Sequence, residues 1–148
     1  MDQSASIVAV FGTRPEIIKL APVFRALADE PCVRTTLVST GQQRDLIPVF
    51  LDDFGIRIDE SLGTMIPGQS LPESMAAMVP APDAAHERSP PDLAVPPDVT
   101  SSQLPGELAA RLRAVTSPRV EHGLTPGKPR WPLPARCNRR ADTHFPHL

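Results

Sequence analysis

Little in this sequence speaks for a disulfide-stapled, membrane-bound or nucleic-acid-binding protein. Its two cysteines, Cys32 and Cys137, stand far apart and fit no CxxC spacing. Neither a disulfide framework nor a zinc site is indicated, and a reducing cytoplasm is the expected home. No run approaches the roughly 18 apolar residues of a membrane span. The start, MDQSAS, lacks a basic segment leading into an apolar one, so export is not expected either. A formal net charge of −2 gives no electrostatic case for nucleic acid or an anionic membrane as partner. Aromatic residues make up only 4% of the chain, and of the 5 phenylalanines only Phe145 falls after Met75. Prolines run the other way, 6 of the 19 before Met75 and 13 after it. A proline-rich stretch poor in aromatics buries little apolar surface to offset its ordering entropy. At 148 residues one domain at most is expected. It divides into an α/β portion over 1–79 and a proline-rich, poorly ordered remnant of the same domain over 80–148.

What is present concentrates at the start. Ile7-Val8-Ala9-Val10-Phe11 is an apolar run without polar alternation, as a strand buried on both faces in a parallel sheet would show. Gly12 breaks it, Thr13 can cap a helix, and Pro15 suits a first helical turn. Ile17, Leu20, Ala21, Phe24 and Leu27 then mark one helical stripe, with Glu16, Lys19 and Arg25 off it and a kink expected at Pro22. The amide end of such a helix favours an anion, and Arg14 adds a guanidinium able to grip phosphate or carboxylate.

Further along, Arg34–Thr40 reads as a second strand ended by Gly41, and Asp45–Phe54 as a second helix ended by Gly55. Right-handed crossovers place both strand-to-helix turns at one carboxyl edge of the sheet, the edge where open α/β sheets bind ligands. Ile56–Leu71 reads as a loop across that edge, and Ser70–Met78 as a third helix. From Pro80 to Pro97 the proline density is expected to exclude helix and central strand. A helical pattern returns at Leu104–Val115, with Leu108, Leu112 and Val115 on one face. His144 and His147 form an HxxH in the tail, with no third ligand nearby and no helix to align them, so a metal site is not expected.

The string Gly12-Thr13-Arg14-Pro15-Glu16, with Lys19 and the Ala21-Pro22 pair behind it, resembles the opening motif of the non-hydrolysing UDP-N-acetylglucosamine 2-epimerases. Thr40-Gly41-Gln42-Gln43-Arg44 and Pro67-Gly68-Gln69-Ser70-Leu71 resemble later motifs of that family. Fainter likenesses follow. Pro91-Asp92-Leu93-Ala94-Val95 with Asp98-Val99-Thr100 resembles PDVVLVxGDTT, Val120–Leu124 resembles HVEAGL, and Trp131-Pro132 with Asn138-Arg139-Arg140 resembles WPEExNRR. The family pattern is incomplete: Gln43 stands where the family has His, Thr125 where it has Arg, and the two glutamates after Trp-Pro are missing.

The resemblance implies a Rossmann-like parallel α/β half-domain, the first of a two-domain GT-B-type fold, and epimerisation by elimination and re-addition of UDP. It implies catalytic roles for Lys19, Asp98 and Glu121 and substrate contacts for Arg14, Gln43 and Arg139. It calls for a UDP-sugar substrate and homodimeric assembly, and for no cofactor or metal. A chain of this extent is expected to be inactive alone. The alternative from the residues themselves is a nucleotide-anion or protein-binding module with a disordered, proline-rich interaction tail.

Overall fold

Strand β1 (Ala5–Phe11) forms where the uninterrupted apolar run sits, and six of its seven residues are buried. In the computed structural model, which describes residues 4–41, 47–64, 66, 68–80, 83, 84, 87, 90–96 and 103–118, it lies inside a parallel sheet. Helix α1 (Arg14–Ala28) follows and runs unbroken through Pro22. Then come β2 (Val33–Ser39), α2 (Ile47–Phe54), β3 (Glu60–Ser61), α3 (Leu71–Met78), β4 (Leu93–Val95) and α4 (Gln103–Leu112). The sheet order is β3-β2-β1-β4, every pair parallel, with Ile7 opposite Thr35 on one side and Leu93 on the other. The molecule is therefore an α/β, Rossmann-like unit.

The strand period of two divides the core. Ile7, Ala9 and Phe11 point to the face covered by Ile17, Leu20, Ala21 and Phe24 of α1 and by Leu51 of α2. Phe11 is fully buried, its ring centroid 6.2 Å from that of Phe24. Val8, Val10 and Val38 form the core of the opposite face with Leu62 packed against them. Right-handed crossover puts the β3-to-β4 connection, and α3 with it, on that second face; α3 and α4 pack against each other. Arg25 ties the first layer together by donating from Nε and a terminal nitrogen to the Phe54 carbonyl, at 3.2 and 3.0 Å, where the last carbonyls of α2 lack helical donors.

Two aspartates fix the register of the outer strands. Asp92, just before β4, accepts the Ser6 N–H on its carboxylate at 2.7 Å and returns its own N–H to the Ser6 carbonyl at 2.8 Å. Asp59 does the same to Leu37 just before β3, at 2.7 and 2.9 Å. Such reciprocal pairs explain how strands of two and three residues hold their place.

Three expectations change here. Ile56–Leu71 is not wholly loop, because β3 lies within it; two residues are too few to show a period. The proline-dense stretch does hold structure: residues 80, 83, 84 and 87 are helical, and strand Leu93–Val95 fits between Pro91 and Pro96, so neither ring needs a ladder hydrogen bond inside it. In α4 the buried side is Pro105, Glu107, Ala109 and Ala110, whereas Leu112 is 70% exposed. Glu107 occupies core because its carboxylate is paired with Arg111 Nε at 2.7 Å and accepts the Ser117 hydroxyl at 2.7 Å.

Candidate functional site

In an open parallel sheet the ligand crevice opens beyond the carboxyl ends of two neighbours whose connections leave in opposite directions. Here those neighbours are β1 and β4. β1 ends at Phe11, and Gly12 and Thr13 deliver Arg14 as the first residue of α1. Gly12 turns without a positive φ; among the described glycines Gly41, Gly55, Gly63 and Gly68 take that conformation. Thr13 is extended, φ −130° and ψ 155°, as an N-cap should be.

Glu16 completes the corner. It lies off the apolar stripe, yet it is only 2% exposed, because its Oε2 folds back to accept the N–H of Gly12 at 2.6 Å and of Thr13 at 2.8 Å. Sequence reasoning about the stripe missed this residue; the Thr-x-x-Glu spacing of a capping box was the signal that could have found it. The reciprocal contact, from the Glu16 N–H toward the Thr13 hydroxyl, has the box arrangement but falls outside hydrogen-bond geometry. Thr13 Oγ1 is thus buried with no partner among the described residues, as is Thr40 Oγ1 at the end of β2.

Arg14 is exposed, with its guanidinium carbon 5.4 Å from the centre of the Phe50 ring on α2. Lys19 is also exposed on α1. Lys19 stands five positions after Arg14, which turns it about 140° around the helix and sets it about 7.5 Å down the axis. Helical Cα–Cβ bonds tilt toward the N-terminus, so the Lys19 side chain sets out on the corner's side of its own Cα. The neighbouring strand end is fixed by short bonds. The Thr40 N–H donates to the Phe11 carbonyl at 2.8 Å, and the buried Thr64 donates N–H and hydroxyl to the Thr40 carbonyl at 3.1 and 2.8 Å. Gln43, Asp98, Glu121 and Arg139 lie outside the described residues, as does the HxxH of the tail.

A cavity of about 580 Å³ opens at the opposite, amino edge of the sheet, lined by Asp83, Pro90, Pro91, Leu112, Arg113 and Val115. Its charged groups satisfy each other: Arg113 grips Asp83 at 2.6 and 3.1 Å, which raises the Arg113 pKa further above its ordinary value. The chemistry-bearing corner is at the other end of the strands. Among the described residues no cluster of His, Cys, Asp or Glu could hold a metal ion, and no helix is long and apolar enough to cross a membrane.

No family model matches the chain. A probable UDP-N-acetylglucosamine 2-epimerase of Ralstonia nicotianae is 35% identical over 134 residues, which are 90% of this chain and 36% of the relative. The UDP-N-acetylglucosamine 2-epimerase of Escherichia coli K12 is 33% identical over 139 residues, 94% of this chain and 37% of that protein. The crystal structure of UDP-GlcNAc 2-epimerase from Neisseria meningitidis bound to UDP-GlcNAc shares the fold with a TM-score of 0.87 at 31% identity. That likeness covers 91% of this chain and 36% of the other. The chain spans little more than a third of the length of these relatives.

Proposed function

Since this chain is a homologue of the UDP-N-acetylglucosamine 2-epimerases over somewhat more than a third of their length, we propose that it forms one wall of a UDP-sugar site of that kind. The reaction is interconversion of UDP-GlcNAc and UDP-ManNAc by elimination and re-addition of UDP. The observation that carries this reading is Arg14, exposed at the carboxyl edge on a corner whose backbone is clamped by a buried glutamate. A guanidinium there can take a diphosphate in bidentate fashion and stabilise the charge that builds as UDP leaves. Lys19, whose side chain sets out on the corner's side of its own Cα, is the second cation of the site.

Asp98 and Glu121 are the carboxylates assigned to proton movement at the sugar, and Gln43 and Arg139 are assigned to substrate contact. The proposal includes a cytoplasmic setting, supported by the exposed free thiol of Cys32. A bare anion- or protein-binding module with an interaction tail is disfavoured, because likeness to the epimerases runs through 90% of the chain.

Calorimetric titration tests the reading. UDP should bind the purified chain while ADP at equal concentration should not, and a coupled assay of the chain alone should show no epimer interconversion. Equal heats from both nucleotides, or none from UDP at millimolar concentration, would overturn it.

A further inference from the structure

The corner after β1 has an unusual occupant. A helix N-terminus that follows a parallel strand ordinarily offers its amides to a ligand anion. Here the N–H groups of Gly12 and Thr13 both donate to one oxygen, Oε2 of Glu16, at 2.6 and 2.8 Å, and Pro15 has no N–H to give. Of the five positions 12–16, three are therefore closed to an incoming anion, and the Glu16 N–H is turned toward the Thr13 hydroxyl. The second capping box of the molecule, at α3, makes the contrast clear. There Glu73 is exposed and takes a single amide, that of Ser70, along with the Ser70 hydroxyl. At α1 the carboxylate is 2% exposed, spans two amides, and sits directly beneath the residue that projects Arg14.

We infer that Glu16 is a positioning residue that plugs the amide end of α1, so that a nucleotide diphosphate is received by the Arg14 side chain and not by the backbone. This rests on the UDP-sugar reading above. The plug does two things at once. It fixes the Gly12–Thr13 turn, from which Arg14 departs, and it withholds backbone donors that any small anion could use. The corner is thereby biased toward a ligand that brings contacts elsewhere, and against free phosphate.

Both amides converge on a single oxygen, which supplies the discriminating variants. Glu16→Gln keeps an acceptor oxygen at the same reach while removing the charge and exchanging the other oxygen for an NH2 donor, whereas Glu16→Ala removes the plug. UDP and inorganic phosphate are titrated separately against the wild-type chain and both variants. Hydrogen bonds to charged groups set the expected scale at about tenfold. Glu16→Ala should lose at least that factor for UDP and gain a similar factor for inorganic phosphate, while Glu16→Gln should stay near wild type for both. A residue that merely supported the fold would lower both affinities together in Glu16→Ala, and that outcome overturns the inference.

Amide resonances of the wild-type chain give a second measurement that does not depend on the variants folding. Inorganic phosphate should leave the Gly12 and Thr13 amides unmoved, and a saturable shift of either would overturn the plug. Failure of wild-type UDP binding would instead strike the underlying functional reading and leave the phosphate test intact.

Discussion

At the scale of single residues, Arg14 and Glu16 separate recognition from support. Arg14 is exposed and its guanidinium lies over the Phe50 ring, so Arg14→Ala should change stability on the scale of a surface contact, about 1 kcal/mol. The same change should cost about 1.5–3 kcal/mol of UDP binding, the scale of a charge-assisted hydrogen bond. Calorimetry and urea unfolding on one preparation check both halves. Glu73 gives the pH expectation. Its pKa is lowered by the Ser70 hydroxyl and then by the Ser70 amide. A depressed folded value means that the α3 cap contributes above the ordinary carboxylate range and is lost as pH falls through the folded value. Glu73→Gln should therefore remove part of the acid limb of a stability-versus-pH curve by lowering its neutral plateau toward the acid value. The exposed place of Arg14 at the start of α1 was legible, because a buried strand, a glycine turn and a helix start are set out in order along the chain. Glu16 was not legible from periodicity, because its burial comes from two backbone donors and not from an apolar face.

At the scale of elements, the same helix ending occurs twice with different residues. After α2, the Ile56 N–H reaches the Leu51 carbonyl at 2.9 Å and the Gly55 N–H reaches Asp52 at 3.0 Å, with Gly55 at φ +64°. After α4, the Val115 N–H reaches Ala110 at 2.9 Å and the Ala114 N–H reaches Arg111 at 2.9 Å, with Ala114 at φ 55°. Both are Schellman endings, and only the first has the residue that carries no penalty for a left-handed backbone. Ala114→Gly should stabilise the chain by about 1 kcal/mol and Gly55→Ala should destabilise it by about 1–2 kcal/mol. No atom lies within 4 Å of a Cβ built at Gly55, so that cost is conformational and not steric. Urea midpoints measure both. Elements with a long apolar period, β1 and α1, were legible in the sequence. Strands β3 and β4 were not, since an aspartate pairing with the neighbouring backbone defines them more than any pattern of their own. Leu112 misled for a related reason: the α4 interface is built from Ala109, Ala110 and a paired Glu107, so the helix buries small and charged residues while its largest apolar side chain stays in solvent.

At the scale of the whole molecule, a chain with little more than a third of its relatives' length still carries a sheet with core on both faces and a site edge of its own. UDP at 100 times its dissociation constant should raise the stability of that unit by about 2.7 kcal/mol, read as an upward shift of the thermal transition. Asp59 and Asp92 precede strands three apart in the sheet and are offset by three residues along it, about 17 Å from one another at ordinary strand spacing and rise. Loss of each carboxylate should cost about 1–2 kcal/mol, and the double variant should be additive to within about 0.5 kcal/mol. Both of these clamps grip the sheet at the ends where its outer strands begin. The Asp92 clamp lies at the amino edge, level with Ser6, whereas the Asp59 clamp lies three residues nearer the carboxyl rim, level with Ala9, so the sheet is pinned along a diagonal. Deuterium should enter last at the Ser6 and Leu37 amides held by those carboxylates, and sooner where Val95 gives way to Pro96, leaving the β4 end of the carboxyl rim freer to adjust than its β2 end.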